Sequence, residues 1–276
     1  MISVVSNVAS LRAQRHLGKT QNALSNNIAR LSSGLRINKS ADDASGLAIS
    51  DELRAYTRGL KQAERNANDG ISLIQTAEGG LSESIGVITR MRELAVQAAN
   101  EGTMDTTERG YLAQEYALLE SELNRIVTVT EFNGTKLING GISTGISFQV
   151  GMRNTSADRI SLTLNDNDAT ALGIDDDSLS SATDAQAAIA ALDTAIQTLN
   201  TQRGSLGATQ NRLTMSISNL GTMHENMSAA DSRIRDVDVA AESAAMARNQ
   251  ILSQAGTSVL AQANQLPQAA LSLIGG

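Results

Sequence analysis

Side chains capable of catalysis or metal binding are sparse in this 276-residue sequence. It has no cysteine and two histidines, His16 and His224, which lie far apart and are predicted to be ordinary helix residues. The run from Asp175 to Asp177 lacks the spaced ligands and fixed glycine of a calcium loop, so a solvated surface is expected. No segment has the pattern of a phosphate-binding glycine loop or a nucleophile elbow. We therefore predict a protein that is not an enzyme and uses no metal or cofactor.

The composition favours long helices over a round enzyme fold. Hydrophobic residues make up 41% of the chain, but aromatic residues only 2%, so burial must come from aliphatic side chains. The single proline, Pro267, allows long helices and is expected to kink or end the last one.

Charge is distributed unevenly. Residues 1–39 carry six basic side chains and no acidic one, whereas no charged residue follows Arg248. The basic start has no aromatic residue to stack on bases, so nucleic-acid binding is not expected. The uncharged tail is expected to be buried against a partner. Neither a cleavable secretory signal nor an apolar run of membrane-spanning length is evident, so we expect a soluble chain that stays inside or leaves by a route that cleaves nothing.

Leucine spacing is the strongest structural signal. Two series of seven-residue steps predict two long helices with coiled-coil seams. The first series is Leu60, Ala67, Ile74, Leu81, Ile88 and Ala95, and the second is Leu192, Leu199, Leu206, Leu213, Leu220, Met227 and Ile234. Between them, Asp105 and Glu108 form a capping-box pattern that predicts the start of a third helix. Three long helices predict an up-and-down antiparallel bundle or rod.

The chain ends and the middle complete this fold prediction. The ends carry separate apolar rows, and the step from Ile234 to Ala245 breaks the seven-residue phase, which predicts a segment boundary. In the middle, apolar residues alternate with polar ones near 146–164 and predict a β-hairpin. Residues 165–184 are acidic and predicted to be loop. The fold class is therefore mainly α, with a small β-hairpin region at the chain middle.

Five segments resemble the bacterial flagellins, in the order that this family has them. They are LSSGLRINKSADDASGLAISDELR from Leu31, RMRELAVQAAN at 90–100, TEFNGTKLI at 130–138, FQVG at 148–151 and SVLAQANQLPQAALSLIGG at the end. The resemblance implies a short flagellin without the outer variable domains. It divides the chain into an N-terminal helix of an inner coiled coil (1–40), a rod-like helical domain (41–236) and a C-terminal helix of the inner coiled coil (237–276).

The same resemblance implies the function. The chain would be a structural subunit that polymerises into the extracellular flagellar filament for motility, after type III export. Its partners would be copies of itself, an export chaperone, the filament cap protein and the hook–filament junction protein, with no nucleic acid and no membrane insertion. The polymerisation residues would be Leu17, Leu24, Ile28, Leu31, Leu35, Ala245, Leu252, Val259, Leu266 and Leu273.

A second implied surface contains Arg90, Arg92, Leu94 and Glu115. These residues would form axial contacts between subunits or bind the host Toll-like receptor five. Two other interpretations stay open at this point. One is a hook–filament junction protein, and the other is a chemoreceptor-like cytoplasmic signalling coiled coil, which would have a polar tip without β-strands.

Overall fold

The computed structural model describes residues 7–102, 104–175 and 179–274, with backbone alone from residue 266 onward. Asp176, Asp177 and the side chains of Leu266 and Leu273 therefore lie outside the described residues. The chain forms two compact units. The terminal unit contains the chain up to Thr57 and from Asn226, and the central unit contains Arg58–Glu225. The sequence-based boundaries near 40 and 237 stay a prediction.

Helices dominate the structure, which confirms the predicted fold class. The helices are α1 (Val8–Ser33), α2 (Ala44–Ala98), α3 (Thr106–Val129), α4 (Ala169–Leu172), α5 (Ala182–Arg235) and α6 (Val239–Ile274). The strands are β1 (Glu131–Phe132), β2 (Thr135–Lys136), β3 (Ile146–Gln149) and β4 (Arg159–Leu162), which form two antiparallel hairpins. A 3₁₀ turn at Ser156–Asp158 precedes β4.

The core of the central unit follows the two predicted heptad seams. Every member of the α2 series is buried, and so are the α5 leucines from Leu192 to Leu220. Small residues such as Ala63, Ala77 and Ala195 fill the neighbouring positions and are buried too. Because small side chains let helix axes approach closely, this core is completed without large aromatic rings.

Contacts across the central unit show that α3 and α5 each run antiparallel to α2. Arg92 and Glu78 of α2 pair with Asp193 and Arg203 of α5 respectively, so the chain numbers fall on one helix as they rise on the other. On the other side, Arg109 of α3 donates a hydrogen bond to the carbonyl of Ala98, at the end of α2. The capping box predicted for α3 is present, with Asp105 accepting from the Glu108 amide at 2.8 Å.

The β3–β4 hairpin confirms the prediction for residues 146–164. Ile146 pairs with Leu162 and Phe148 with Ile160, and the hairpin packs on α2. A Cβ atom on Gly70 would lie only 3.1 Å from the Phe148 ring, so a glycine at this position leaves room for the ring to pack against the helix.

The β1–β2 hairpin was not anticipated by the sequence interpretation. Asn133 and Gly134 both have positive φ, which a two-residue turn between antiparallel strands requires. The Asn-Gly pair at this position is the strongest short-range signal for such a turn.

Residues 165–184, predicted to be loop, also contain short helical parts and buried residues. The segment contains α4, and α5 begins inside it at Ala182. Leu172, Ile174 and Leu179 are buried in the core of the central unit. Asn167 is also buried and exchanges side-chain hydrogen bonds with Gln202 of α5, at 2.7 and 3.3 Å. Because the segment is rich in aspartate, its three buried aliphatic residues were not recognised as part of the core.

In the terminal unit, α1 and α6 pack side by side in antiparallel orientation. Gly34, with φ of +72°, ends α1. The residues that follow it lie against the short segment that connects α5 to α6. There the Val237 amide donates to the carbonyl of Gly34 at 3.1 Å. The break at residues 236–238 agrees with the segment boundary inferred from the interrupted heptad phase.

Pro267 was expected to kink or end the last helix; it does not end it, because α6 continues through it to Ile274. Proline has no N–H, so the carbonyl of Ala263 lacks its usual helical donor. The side-chain amide of Asn7 donates to this carbonyl instead, at 2.7 Å. Its oxygen meanwhile caps α1 by accepting from the Ser10 amide at 3.0 Å. A contact between the two chain ends thus compensates the hydrogen bond that proline removes.

Candidate assembly surfaces

Along the seam between α1 and α6, the described side chains that are buried are small or polar, namely Ser10, Asn27 and Ala263. Asn27 is buried there, donating to a carboxylate oxygen of Glu242 and accepting from the Asn249 amide at 2.8 Å. Near the other end, Ser10 donates to Asn264 at 2.7 Å. Buried amides fix the register of paired helices because a shift would leave them without partners. These buried polar contacts were not predicted from the sequence, although the polar Asn27 next to the apolar Ile28 indicated them.

Many large apolar side chains of the same two helices face solvent. Ile28 is 52% exposed, Leu252 49% and Val259 53%. Val8, Leu11, Val239 and Ile251 are also exposed. The α1–α6 pair therefore buries polar and small side chains between its helices and leaves much of its aliphatic surface exposed. A helix pair that is stable by itself would bury its aliphatic side chains instead.

The predicted polymerisation residues divide into three groups by exposure. Ile28, Leu252 and Val259 are exposed as above. The half-buried group is Leu17, Leu24, Leu31, Leu35 and Ala245. Leu266 and Leu273 have no described side chains. The structure thus places part of the set on an open surface and part beside the α1–α6 seam.

A cavity of about 570 Å³ lies between α1 and α6. Its lining includes Ala13, Leu17, Leu252, Gly256 and Val259. A Cβ atom on Gly256 would come within 3.2 Å of Leu17, so this glycine accommodates the leucine. The predominantly apolar lining and the shallow form of the cavity suit an aliphatic side chain from outside the helix pair.

The predicted second surface lies in the central unit and is rich in ion pairs. Arg90 contacts Glu115 at 2.8 Å and Glu93 at 2.9 Å, and Arg92 contacts Asp193 at 2.6 Å. Hydrogen bonds to Glu115, and then to Glu93, raise the pKa of Arg90 above its ordinary value. The hydrogen bond to Asp193 does the same for the pKa of Arg92. Arg90 and Glu115 are exposed and Arg92 is half-buried, so the Arg90–Glu115 pair is open to a partner.

Leu94 does not share this exposure, contrary to the surface role expected for it. Its side chain is 1% exposed and belongs to the core cluster. A residue one helical turn after Arg90 projects from a similar face, but here that position lies in the core of the central unit. Direct contact between Leu94 and a partner would require the side chain to leave the core.

Neither a metal-binding cluster nor a membrane-spanning helix is found in the described part of the chain. Within residues 7–102, 104–175 and 179–274, no three potential ligands of the His, Asp or Glu type cluster closely enough to hold a metal ion. No helix in this described part of the chain combines the length and apolarity needed to cross a membrane.

Comparisons with known proteins agree with the resemblance seen in the sequence. Residues 4–144 match the bacterial flagellin N-terminal helical region, and residues 189–274 match the bacterial flagellin C-terminal helical region. A flagellin of Halalkalibacterium halodurans is 46% identical, with 97% of this chain and 98% of that protein covered. A flagellin of Bacillus subtilis is 41% identical over the same shares of the two chains.

A solved structure shows the same relationship in three dimensions. The crystal structure of Bacillus cereus flagellin is similar with a TM-score of 0.50 and 32% identity, covering 60% of this chain and 94% of that one. The near full-length matches to flagellins do not favour a junction protein, and the β3–β4 hairpin departs from a chemoreceptor-like coil. Flagellins are structural proteins, not enzymes, and form the extracellular filament of the flagellum. The chain therefore belongs to the bacterial flagellin family and is a structural subunit of the flagellar filament.

Proposed function

We propose that this subunit polymerises through the exposed aliphatic faces of α1 and α6. The observation that carries the proposal is the coexistence of a polar α1–α6 seam with half-exposed Ile28, Leu252 and Val259. Covering the exposed half of such an aliphatic side chain contributes about 1 kcal/mol, roughly half the value for complete burial. A handful of such residues offsets the entropy lost when the chain ends become fixed in the filament. Identical copies in contacts that do not close produce a helical filament.

Removal of residues 249–276 tests the proposal at its largest scale. We expect the shortened chain to form no filaments by electron microscopy under precipitating salt, while circular dichroism still shows a helical protein. The central unit has its own core and does not include the deleted residues. Filaments formed by the shortened chain would refute the proposal.

Point substitutions on α6 localise the effect to apolar side chains. The double variant Leu252→Ser and Val259→Ser is expected to elongate filament seeds more slowly, with its monomer circular dichroism unchanged. A matched control replaces two exposed polar residues of the same helix, Gln250→Ser and Gln254→Ser. If both pairs reduce elongation equally, the apolar faces are not the interface.

Export and capping follow from family membership and form part of the same proposal. The subunit would bind an export chaperone, leave the cell through the flagellum's type III channel, and join the filament beneath the cap protein and beyond the hook–filament junction protein. Shearing the flagella from motile cells tests the location. The chain should appear in the sheared filament fraction, and its confinement to the cell fraction would argue against export.

The Arg90 surface is proposed to contact either the next subunit or the host Toll-like receptor five. Its support is the exposed Arg90–Glu115 pair, in which the guanidinium and carboxylate are presented by two different helices. Arg90→Asp should reduce receptor signalling by soluble monomer. Arg125→Asp is the control, because Arg125 is also exposed and pairs within α3 with Glu122. Unchanged signalling, combined with slower seed elongation, would assign the surface to subunit contacts alone.

A further inference from the structure

The first half of α1 carries an exposed face that is basic and partly apolar. Its five residues recur at spacings of three and four, which places them on one side of the helix. They are Val8, Leu11, Arg12, Arg15 and Lys19. All five side chains are exposed, including 49% of Val8 and 54% of Leu11. We call these residues the basic face of α1.

The basic face is turned away from α6. Ser10 and Leu17 are the residues of this half of α1 that contact α6, through a hydrogen bond to Asn264 and through packing on Gly256. Positions 8, 12, 15 and 19 each lie two residues from Ser10 or Leu17, about 200° around the helix. Arg12 also reaches the rim of the cavity between the two helices. The basic face is therefore available to another molecule.

The cations of the basic face are not neutralised by their own helix pair. Among the described residues, the side chains of Arg12, Arg15 and Lys19 form no ion pair. The part of α6 beside them is uncharged, because no charged residue follows Arg248. Arg30, at the other end of α1, differs, since two carboxylates lie within 4.0 Å of its guanidinium. The three cations therefore need an anionic partner from outside the pair.

The equivalent region of a second copy does not supply that partner. The sequence contains no acidic side chain before Asp42 and none after Glu242. Two such regions would repel each other through their cations. A bilayer with anionic headgroups suits the face better, because arginine and lysine keep their charge among the headgroups while Val8 and Leu11 enter the boundary of the acyl chains.

We propose that the basic face of α1 adsorbs the monomer to the surface of an anionic phospholipid bilayer. The helix lies in the plane of the headgroups, as basic amphipathic helices do, and does not span the membrane. Each cation close to an anionic surface adds to the affinity, and salt weakens this attraction. The binding does not depend on the proposed polymerisation. It gathers subunits at the membrane through which they are proposed to leave.

A matched row of cations elsewhere in the chain provides the control. Arg58, Lys61 and Arg65 of α2 are exposed and repeat the spacing and the composition of the three cations of α1. This row is interrupted and followed by the carboxylates of Glu64 and Asp69. Residues 50–70, all of which the structure describes, include no exposed large apolar side chain. The control row therefore has the same positive charge without the apolar residues and with acidic neighbours.

Flotation of the full-length monomer with lipid vesicles tests the proposal. Vesicles of phosphatidylcholine alone are compared with vesicles of equimolar phosphatidylcholine and phosphatidylglycerol. We expect the wild type to bind the mixed vesicles at least about tenfold more tightly at low salt, with the preference shrinking as sodium chloride rises.

Two triple variants locate the binding on the chain. Replacing the α1 cations (Arg12→Gln, Arg15→Gln, Lys19→Gln) should abolish the preference for mixed vesicles. Replacing the control row (Arg58→Gln, Lys61→Gln, Arg65→Gln) should leave it in place. The double variant Val8→Ser and Leu11→Ser should weaken binding at every salt concentration, because its effect is apolar. Circular dichroism verifies that each variant is folded.

The outcomes separate this proposal from its alternatives. Equal binding of the wild type to both kinds of vesicle, or equal losses in the two triple variants, would overturn it. An α1 triple variant that floats like the wild type but elongates filament seeds more slowly would assign the basic face to subunit contacts instead. Wild-type chain that forms no filaments would count against the proposed polymerisation alone, because vesicle binding is measured on the monomer.

Discussion

The leucines of α5 and the leucines of α6 follow the same seven-residue spacing but meet opposite environments. Leu192, Leu199 and Leu206 are fully buried in the core of the central unit. Leu252 and Val259 stand about half exposed, while Asn27 occupies the buried seam beside them. The spacing of apolar residues thus specifies which face of a helix is to be covered, and it does not specify whether the cover comes from the same chain. The central unit supplies its own cover, whereas the terminal unit leaves part of its apolar surface for another molecule.

Truncating one leucine in each region should separate the two situations most clearly. Leu199→Ala is expected to lower the free energy of unfolding by about 2–5 kcal/mol, because it leaves a cavity in a closed core. Leu252→Ala should change the unfolding of the monomer by less than about 0.5 kcal/mol, since half of its side chain is already in water. Chemical denaturation followed by circular dichroism measures both.

In seeded elongation, we expect the effects of these two leucine substitutions to rank in the opposite order. Leu252→Ala should slow elongation even though the monomer is as stable as the wild type. A Leu252→Ala monomer destabilised as much as the Leu199→Ala monomer would contradict the contrast between the two regions.

Substitution of two adjacent glycines of α2 tests how tightly the core of the central unit is packed. A Cβ atom on Gly80 would lie 2.7 Å from the Thr130 hydroxyl oxygen and 2.8 Å from its methyl group, so Gly80→Ala should cost about 1–3 kcal/mol. Gly79 has nothing within 4 Å of that position, and Gly79→Ala should stabilise the helix by about 0.5–1 kcal/mol. Thermal melting of the two variants should shift in opposite directions, and shifts of the same sign would argue against close packing at Gly80.

The smallest expected effect concerns Asp42, in the connection that follows α1. The amides of Lys39 and Asn38 donate to its carboxylate at 3.0 and 3.1 Å and, with help from Arg30, lower its pKa. A lowered pKa means that the stabilisation is present above the ordinary value of about 3.9 and is lost as the pH falls through the lower folded value. Asp42→Asn should therefore exchange amide hydrogens at residues 36–46 faster than wild type at neutral pH. The two proteins should converge in acid, and a difference that persists once the carboxyl group of Asp42 is fully protonated would exclude this cause.

The predictable part of the fold is the part with local or periodic causes. The buried series from Leu60 to Ala95 and the cap formed by Asp105 and Glu108 depend on spacing within a single helix, so the sequence contains them in full. The same reasoning applies to the β3–β4 hairpin, whose alternation matches the two faces of its strands. The Asn133-Gly134 turn was equally local and went unrecognised as a hairpin.

The unpredicted features depend on partners distant in sequence. Ile174 and Leu179 look like isolated apolar residues in an acidic stretch until the core of the central unit encloses them. Leu94 has the same pattern as a surface residue next to Arg90, and its burial depends on how the helices of the core pack together. For the candidate assembly surface, the apolar rows of α1 and α6 were visible in the sequence. The buried Asn27 and Asn249 pair was not, because their separation of 222 positions conceals the contact.

The hydrogen bond from Asn7 to Ala263 has a consequence for chains of incorrect length. A subunit cut by a protease near either end, or released early from the ribosome, loses either the amide or the carbonyl of this bond. The remaining half cannot be satisfied by the local helix, since Pro267 provides no N–H and Asn7 precedes the first turn of α1. This hydrogen bond therefore requires both the segment that contains Asn7 and the segment that contains Ala263, in the same pair of helices through which the copies are proposed to join.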